Sequence, residues 1–119
     1  MPSGPPERIT DAPLFVVPRM LDALRAWHAG PKLAGLPVDA PERSRLLAEL
    51  DRLGRRLLDG IGAHPTRFWV MQQIRQTLEA SDDEHARARR CFCQELKHLL
   101  TILGTDDVDG LIDFYLNKL

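Results

Sequence analysis

The sequence predicts an all-α fold, a single compact bundle of four to five helices, and three observations carry that reading. Apolar residues recur at helical spacing in successive stretches. No stretch sustains the two-residue alternation of a half-buried strand. Prolines, glycines and acidic residues fall between the stretches, where helices start and stop. Each apolar stripe covers a limited arc, so the stripes must bury one another.

The elements follow in order. Residues 1–12 open with three prolines and a glycine in the first six positions and read as a flexible tail; residues 13–119 read as one helical domain. Leu14 to Val17 is extended or opens a helix, and Pro18 suits a helical first turn. From there Met20, Leu21, Leu24, Trp27 and His28 share a stripe about 120° wide. Gly30-Pro31 ends this helix, and the loop over 31–38 tucks Leu33 and Leu36 inward.

Asp39 with Glu42 reads as a capping box for a second helix. Its Leu46, Leu47, Leu50, Leu53, Leu57 and Leu58 occupy an arc of about 140°. Gly60 to His64 breaks it, with His64 a cap and Pro65 in the first turn of a third helix. There Met71, Ile74 and Leu78 share a stripe, with Val70 and Phe68 at its edges. Ser81 and Glu84 form a second capping box ahead of a fourth helix, whose stripe is Ala88, Phe92, Leu96, Leu99, Leu100 and Leu103. Gly104 takes the left-handed position after it. Thr105, Asp106 and Asp107 then cap a last helix with Val108, Leu111, Ile112, Tyr115 and Leu119 on one side, the acids complementing the macrodipole.

Composition bounds the function. A chain of 119 residues with 44% apolar and 28% charged residues fits one soluble globular domain. Sixteen basic against seventeen acidic residues give a net charge of −1, which argues against a generic nucleic-acid binder. Cys91 and Cys93 are too few for a disulfide framework and point to different sides of a helix, so reduced thiols in a cytoplasmic protein are expected. Neither a signal peptide nor an apolar run long enough to span a membrane is read. Thirteen arginines against three lysines point to a GC-rich bacterial source.

The stretch from Cys93 to Leu116 places Cys93, Leu96, Leu99, Leu100, Ile102, Leu103, Gly104, Asp106, Asp109, Gly110, Leu111, Ile112 and Tyr115 in a helix, an acidic turn and an Asp-Gly-Leu-Ile run. It resembles the closing segment of a bacterial domain-of-unknown-function family, family 4844, over about a fifth of the chain. Tyr115 stands where that family has a Trp, and Asp113-Phe114 where it has an Asn pair. The resemblance implies a small bacterial domain and carries over no catalytic residue.

Five constellations compete for function. Thr105 to Leu116 partly matches a calcium loop, but Thr105 replaces the first Asp and Leu116 the bidentate Glu, so an acid-rich helix start explains it. Cys91, Cys93, His85 and His98 share a helix, but Cys91 and His98 lie about 10.5 Å apart along its axis and Cys93 points away, so no metal site is expected. A nucleophile at Cys93 or Cys91 would need a base such as His28, which fits better as a satisfied core residue; no catalytic residue or cofactor is assigned, and an enzyme around Cys93 or His28 is the second alternative. Arg52, Arg55 and Arg56, with Arg87, Arg89 and Arg90, form two basic patches that would serve a nucleic-acid-binding helical module, the first alternative; acids interleave both. Trp69 points away from the Met71–Ile74 stripe, among Gln72, Gln73 and Gln76. A Trp among glutamines resembles an interface anchor, so the reading is a protein–protein interaction module, toxin- or effector-neutralising being one bacterial setting, that shows Trp69, Gln72, Gln73 and Gln76 to an unknown protein partner or a second copy. On that reading Trp69→Ala weakens association and leaves the melting temperature nearly unchanged.

Overall fold

The computed structural model describes residues 13–81, 84 and 86–105. Helix α1 spans Pro18–Ala29, α2 Pro41–Gly60, α3 Arg67–Glu79 and α4 Ala86–Ile102. The architecture is all-helical, with no strand among the described residues; a single isolated bridge ties Pro13 to Thr66. The expected tail and last helix, and the calcium-like loop beyond Thr105, lie outside the described residues.

The longest helix, α2, is central: α1 and α4 pack on it and on each other, and α3 packs chiefly on α2. Its sequence explains this. Leu46, Leu50, Leu53 and Leu57 are each at most 1% exposed, while Leu47 and Leu58 flank them half-buried. Each fully buried Leu contributes about 1.5–3 kcal/mol of transfer free energy. Against this stripe α4 sets Ala88, Phe92, Leu96, Leu99 and Leu100, all buried, and α1 sets Met20, Leu24 and Trp27. Leu33 and Leu36 of the loop close the core as expected.

Helix ends deviate from the sequence reading in instructive ways. No side chain caps α2: Ala40 is the N-cap and Pro41 takes the first turn, so Asp39 and Glu42 form no capping box. The ring already fixes φ and removes one orphan donor. Thr66, not His64, caps α3, its hydroxyl accepting from the Trp69 N–H at 3.2 Å. Ser81 serves the helix before it: its hydroxyl donates to the Leu78 carbonyl at 2.8 Å. At the end of α1, Gly30 is extended rather than left-handed, and the Lys32 ammonium donates to the carbonyls of His28 and Gly30, both at 2.8 Å. Gly104 behaves as expected, with φ +74°. The Thr105 N–H reaches the Leu100 carbonyl and the Gly104 N–H that of Thr101, the paired bonds of a Schellman turn.

Glycines decide two helix contacts. Gly54 sits buried mid-helix, where glycine costs about 1 kcal/mol against alanine. A Cβ there would meet the His28 ring at 2.5 Å, so the vacancy lets α1 lay that ring against α2. Gly60 does the same for Trp69, whose indole would stand 2.5 Å from an added Cβ.

Candidate functional site

The outward face of α3 follows from its register. Val70, Ile74 and Leu78 enter the core, with Gln73 and Thr77 buried beside them. Phe68, Gln72, Arg75, Gln76 and Glu79 point outward, all exposed, Phe68 at 54%. Trp69 lies at the border. It is half-buried, packs on the core edge, stands over Gly60 and stacks on the His64 ring with centroids 5.5 Å apart. This corrects the picture of a Trp standing clear on a polar face. Gln73 needs a second correction: its Oε1 accepts from Arg56 Nε at 2.9 Å, and the residue is 8% exposed. Of the four residues read as one face, Gln72 and Gln76 are exposed, Trp69 is partly covered and Gln73 joins α3 to α2. Phe68, treated in the sequence only as a stripe edge, stands next to them in the open.

A stability consequence follows for Trp69. Trp69→Ala should lower stability by about 1–3 kcal/mol, less than the full cost of a buried aromatic, because the ring is only partly covered. Chemical unfolding measures it; an unchanged midpoint would return Trp69 to the surface.

Most arginines of the two basic patches have partners within the fold. Arg52 pairs with Glu49, and Arg55 with Asp51 at 3.1 Å. Arg56 turns inward to Gln73 and Thr77, where burial pulls its guanidinium below the ordinary arginine range against the opposing pull of Glu49. On α4, Arg89 is buried and Arg87 donates to the Gly35 carbonyl at 3.1 Å, while Arg90 is exposed. Arg45 makes a two-pronged pair with Glu84, at 3.0 and 2.9 Å, that fastens α2 to the approach of α4. The three arginines of the α2 set therefore meet carboxylates or join α2 to α3, whereas in the α4 set Arg90 stays exposed.

The titratable groups read as catalytic candidates are buried or engaged with neighbouring side chains. Cys93 is 1% exposed. His28 Nε2 lies 2.8 Å from Asp51 Oδ1, and Asp51 also holds Arg55. The hub that the sequence did not disclose is Glu95. It accepts from the Trp27 indole N–H at 2.8 Å and from the Leu33 N–H at 3.4 Å, and stands 4.0 Å from His98 Nδ1. These bonds hold the 31–36 loop against α4. Leu33 sits there at φ +59°, a left-handed conformation that costs a non-glycine residue of order 1 kcal/mol and persists because Glu95 and Arg43 grip its backbone from both sides.

Between loop and helix lies a shallow cleft of about 180 Å³, lined by Gly35, Cys91, Gln94, Glu95 and His98 among others. Among the described residues no three His, Cys, Asp or Glu side chains converge on a metal position. None of the described helices is long and apolar enough to cross a membrane.

Lys32 supplies a pH signature. Its ammonium lies 4.9 Å from the Trp27 ring centroid. Burial pulls its pKa below the ordinary 10.5, with Glu95 and Asp51 pulling back upward. The folded chain therefore releases this proton before the unfolded chain does, so stability rises with pH in the window just below 10.5. Lys32→Met should flatten that rise; an identical slope in both proteins would show the amine to be solvated.

Comparisons of the chain with protein-family models, with curated proteins and with solved structures return no match. The segment that resembles family 4844 is described as far as Thr105: Cys93, Leu96, Leu99, Leu100 and Leu103 are buried and Gly104 is left-handed. The remainder lies outside the described residues.

Proposed function

We propose that the protein is a small interaction module that binds through the outward face of α3, with a second copy of the chain as the partner this face fits best. The observation that carries the reading is Phe68, 54% exposed on a helix that packs chiefly on one neighbour, beside Gln72 and Gln76 and the edge of Trp69. Glutamine amides both donate and accept, so two such faces satisfy each other. Arg75 and Glu79 add equal and opposite charges one turn apart, which a two-fold axis pairs across the contact. A face with one exposed aromatic among polar side chains fits a weak, exchanging contact rather than an obligate one.

The test separates association from folding. Phe68→Ser should reduce self-association at least tenfold, the loss of about 1.4 kcal/mol expected for an exposed aromatic anchor, with melting nearly unchanged. Light scattering and thermal melts on the same samples read the two effects. Unchanged association in Phe68→Ser would reject this face.

The pairing of Arg52 and Arg55 with carboxylates and the inward turn of Arg56 support this reading over a nucleic-acid module built on the α2 patch, because a phosphate contact there would first have to displace an existing bond. The burial of Cys93 and the engagement of His28 with Asp51 support it over an enzyme built on those groups.

A further inference from the structure

The loop between α1 and α2 is fastened tightly at its ends and loosely in its middle. At the α1 end the Lys32 ammonium donates to the His28 and Gly30 carbonyls, both at 2.8 Å. At the α2 end the Ala40 N–H donates to the Pro37 carbonyl at 3.1 Å. Between these anchors, residues 33–36 form a turn closed by one internal bond, from the Leu36 N–H to the Leu33 carbonyl at 3.0 Å. Among the described residues three bonds tie this turn to the helices, and each uses a charged side chain. Glu95 accepts from the Leu33 N–H at 3.4 Å, Arg43 Nε donates to the Leu33 carbonyl at 3.4 Å, and Arg87 donates to the Gly35 carbonyl at 3.1 Å. Two of the three exceed the usual N–H to oxygen range of about 2.7–3.2 Å.

Two forces oppose each other in the turn. The side chains of Leu33 and Leu36 are buried and pin it to the core. The left-handed backbone of Leu33, at φ +59°, is relieved as soon as the turn lets go. Beneath the turn lies a thiol. A Cβ added at Gly35 would stand 3.1 Å from Cys91 Sγ, so the missing side chain lets the turn rest directly on that sulfur. Cys91 is half-buried there, in the cleft that Glu95 and His98 also line. Cys93, two residues on, is buried in the core. The two thiols of α4 therefore lie under different covers, one under the turn and one under the packed helices.

We infer that residues 33–36 are a strap that opens as a unit between its two fastened ends while the helices stay folded, and that opening uncovers the Cys91 thiol and the apolar seat of Leu33 and Leu36. Segments held by few, long, side-chain bonds open locally at a lower free energy than the packed core. The strap is independent of the α3 face: neither needs the other.

Hydrogen exchange and thiol labelling on the full chain test it together. The Leu33 amide should exchange about 100-fold faster than the Leu53 amide of α2. Labelling by iodoacetamide, read at each cysteine from fragment masses, follows the same opening at the side-chain level. The double variant Arg43→Met with Arg87→Met removes two of the three ties and leaves both thiols in place. It should speed labelling of Cys91 by at least about tenfold and leave Cys93 and the Leu53 amide at their native rates. Equal exchange of the Leu33 and Leu53 amides in the native chain would overturn the inference, because the strap would then open only with the whole domain. Labelling of Cys91 that the double variant leaves unmoved would overturn it too, showing that the strap does not cover the thiol. So would a parallel rise at Cys91 and Cys93, which would mean that the two arginines hold the entire fold rather than the strap.

Discussion

Phe92→Ala is expected to cost about 3–5 kcal/mol, a large part of the whole stability of a domain this size. Phe92 has the largest of the fully buried side chains, at 0% exposure, and comes from α4, which packs on both α1 and α2. Truncation removes its transfer free energy and leaves a cavity bounded by helices that collapse only partly. Urea unfolding should show a lower midpoint with an unchanged slope, since the surface exposed on unfolding stays the same. A loss below about 1 kcal/mol would mean that the helices do not meet around this ring.

Trp27 carries the second large effect. Trp27→Ala is expected to cost about 3–5 kcal/mol, because the ring is 6% exposed and its indole N–H is the donor that holds Glu95. Glu95→Ala should cost about 1–3 kcal/mol by leaving the indole and the Leu33 N–H without their acceptor. The double variant should fall short of the sum by about 0.5–3 kcal/mol, since both changes delete one shared bond. Strict additivity would show that the 2.8 Å contact contributes nothing. The coupling matters beyond stability, because Glu95 is what fixes the strained loop at Leu33 over α4.

The helices were legible because leucine spacing is a strong, local signal. The stripes of α2 and α4 became the core with few exceptions, and Gly104 turned left-handed where the pattern ended. The caps were less legible. Asp39 and Ser81 match a capping pattern, yet Pro41 needs no side-chain cap and the Ser81 hydroxyl finds a nearer carbonyl behind it. A four-residue pattern does not say which helix a short polar side chain will serve.

The candidate site was half legible, and the missing half is tertiary. Helical geometry alone put Trp69 on the polar side of α3. It could not show that Gly60, nine residues earlier, leaves room for the indole on α2. Gln73 looked solvent-facing until Arg56, on a different helix, reached it. Glu95 gave no signal at all, since its partners Trp27 and Leu33 are 68 and 62 residues away in sequence. Phe68 was visible but read as the edge of an apolar stripe, because exposure depends on which neighbour α3 chooses.

A dilution series of amide nuclear magnetic resonance spectra on the full, unmodified chain tests the α3 face most directly. For a contact with Kd between about 1 µM and 1 mM, concentration-dependent shifts should appear in the backbone amides of α3 and the side-chain amides of Gln72 and Gln76, leaving the amides of α1 unmoved. Spectra that stay invariant across that range, or shifts confined to other helices, would contradict an α3 face that meets its own copy.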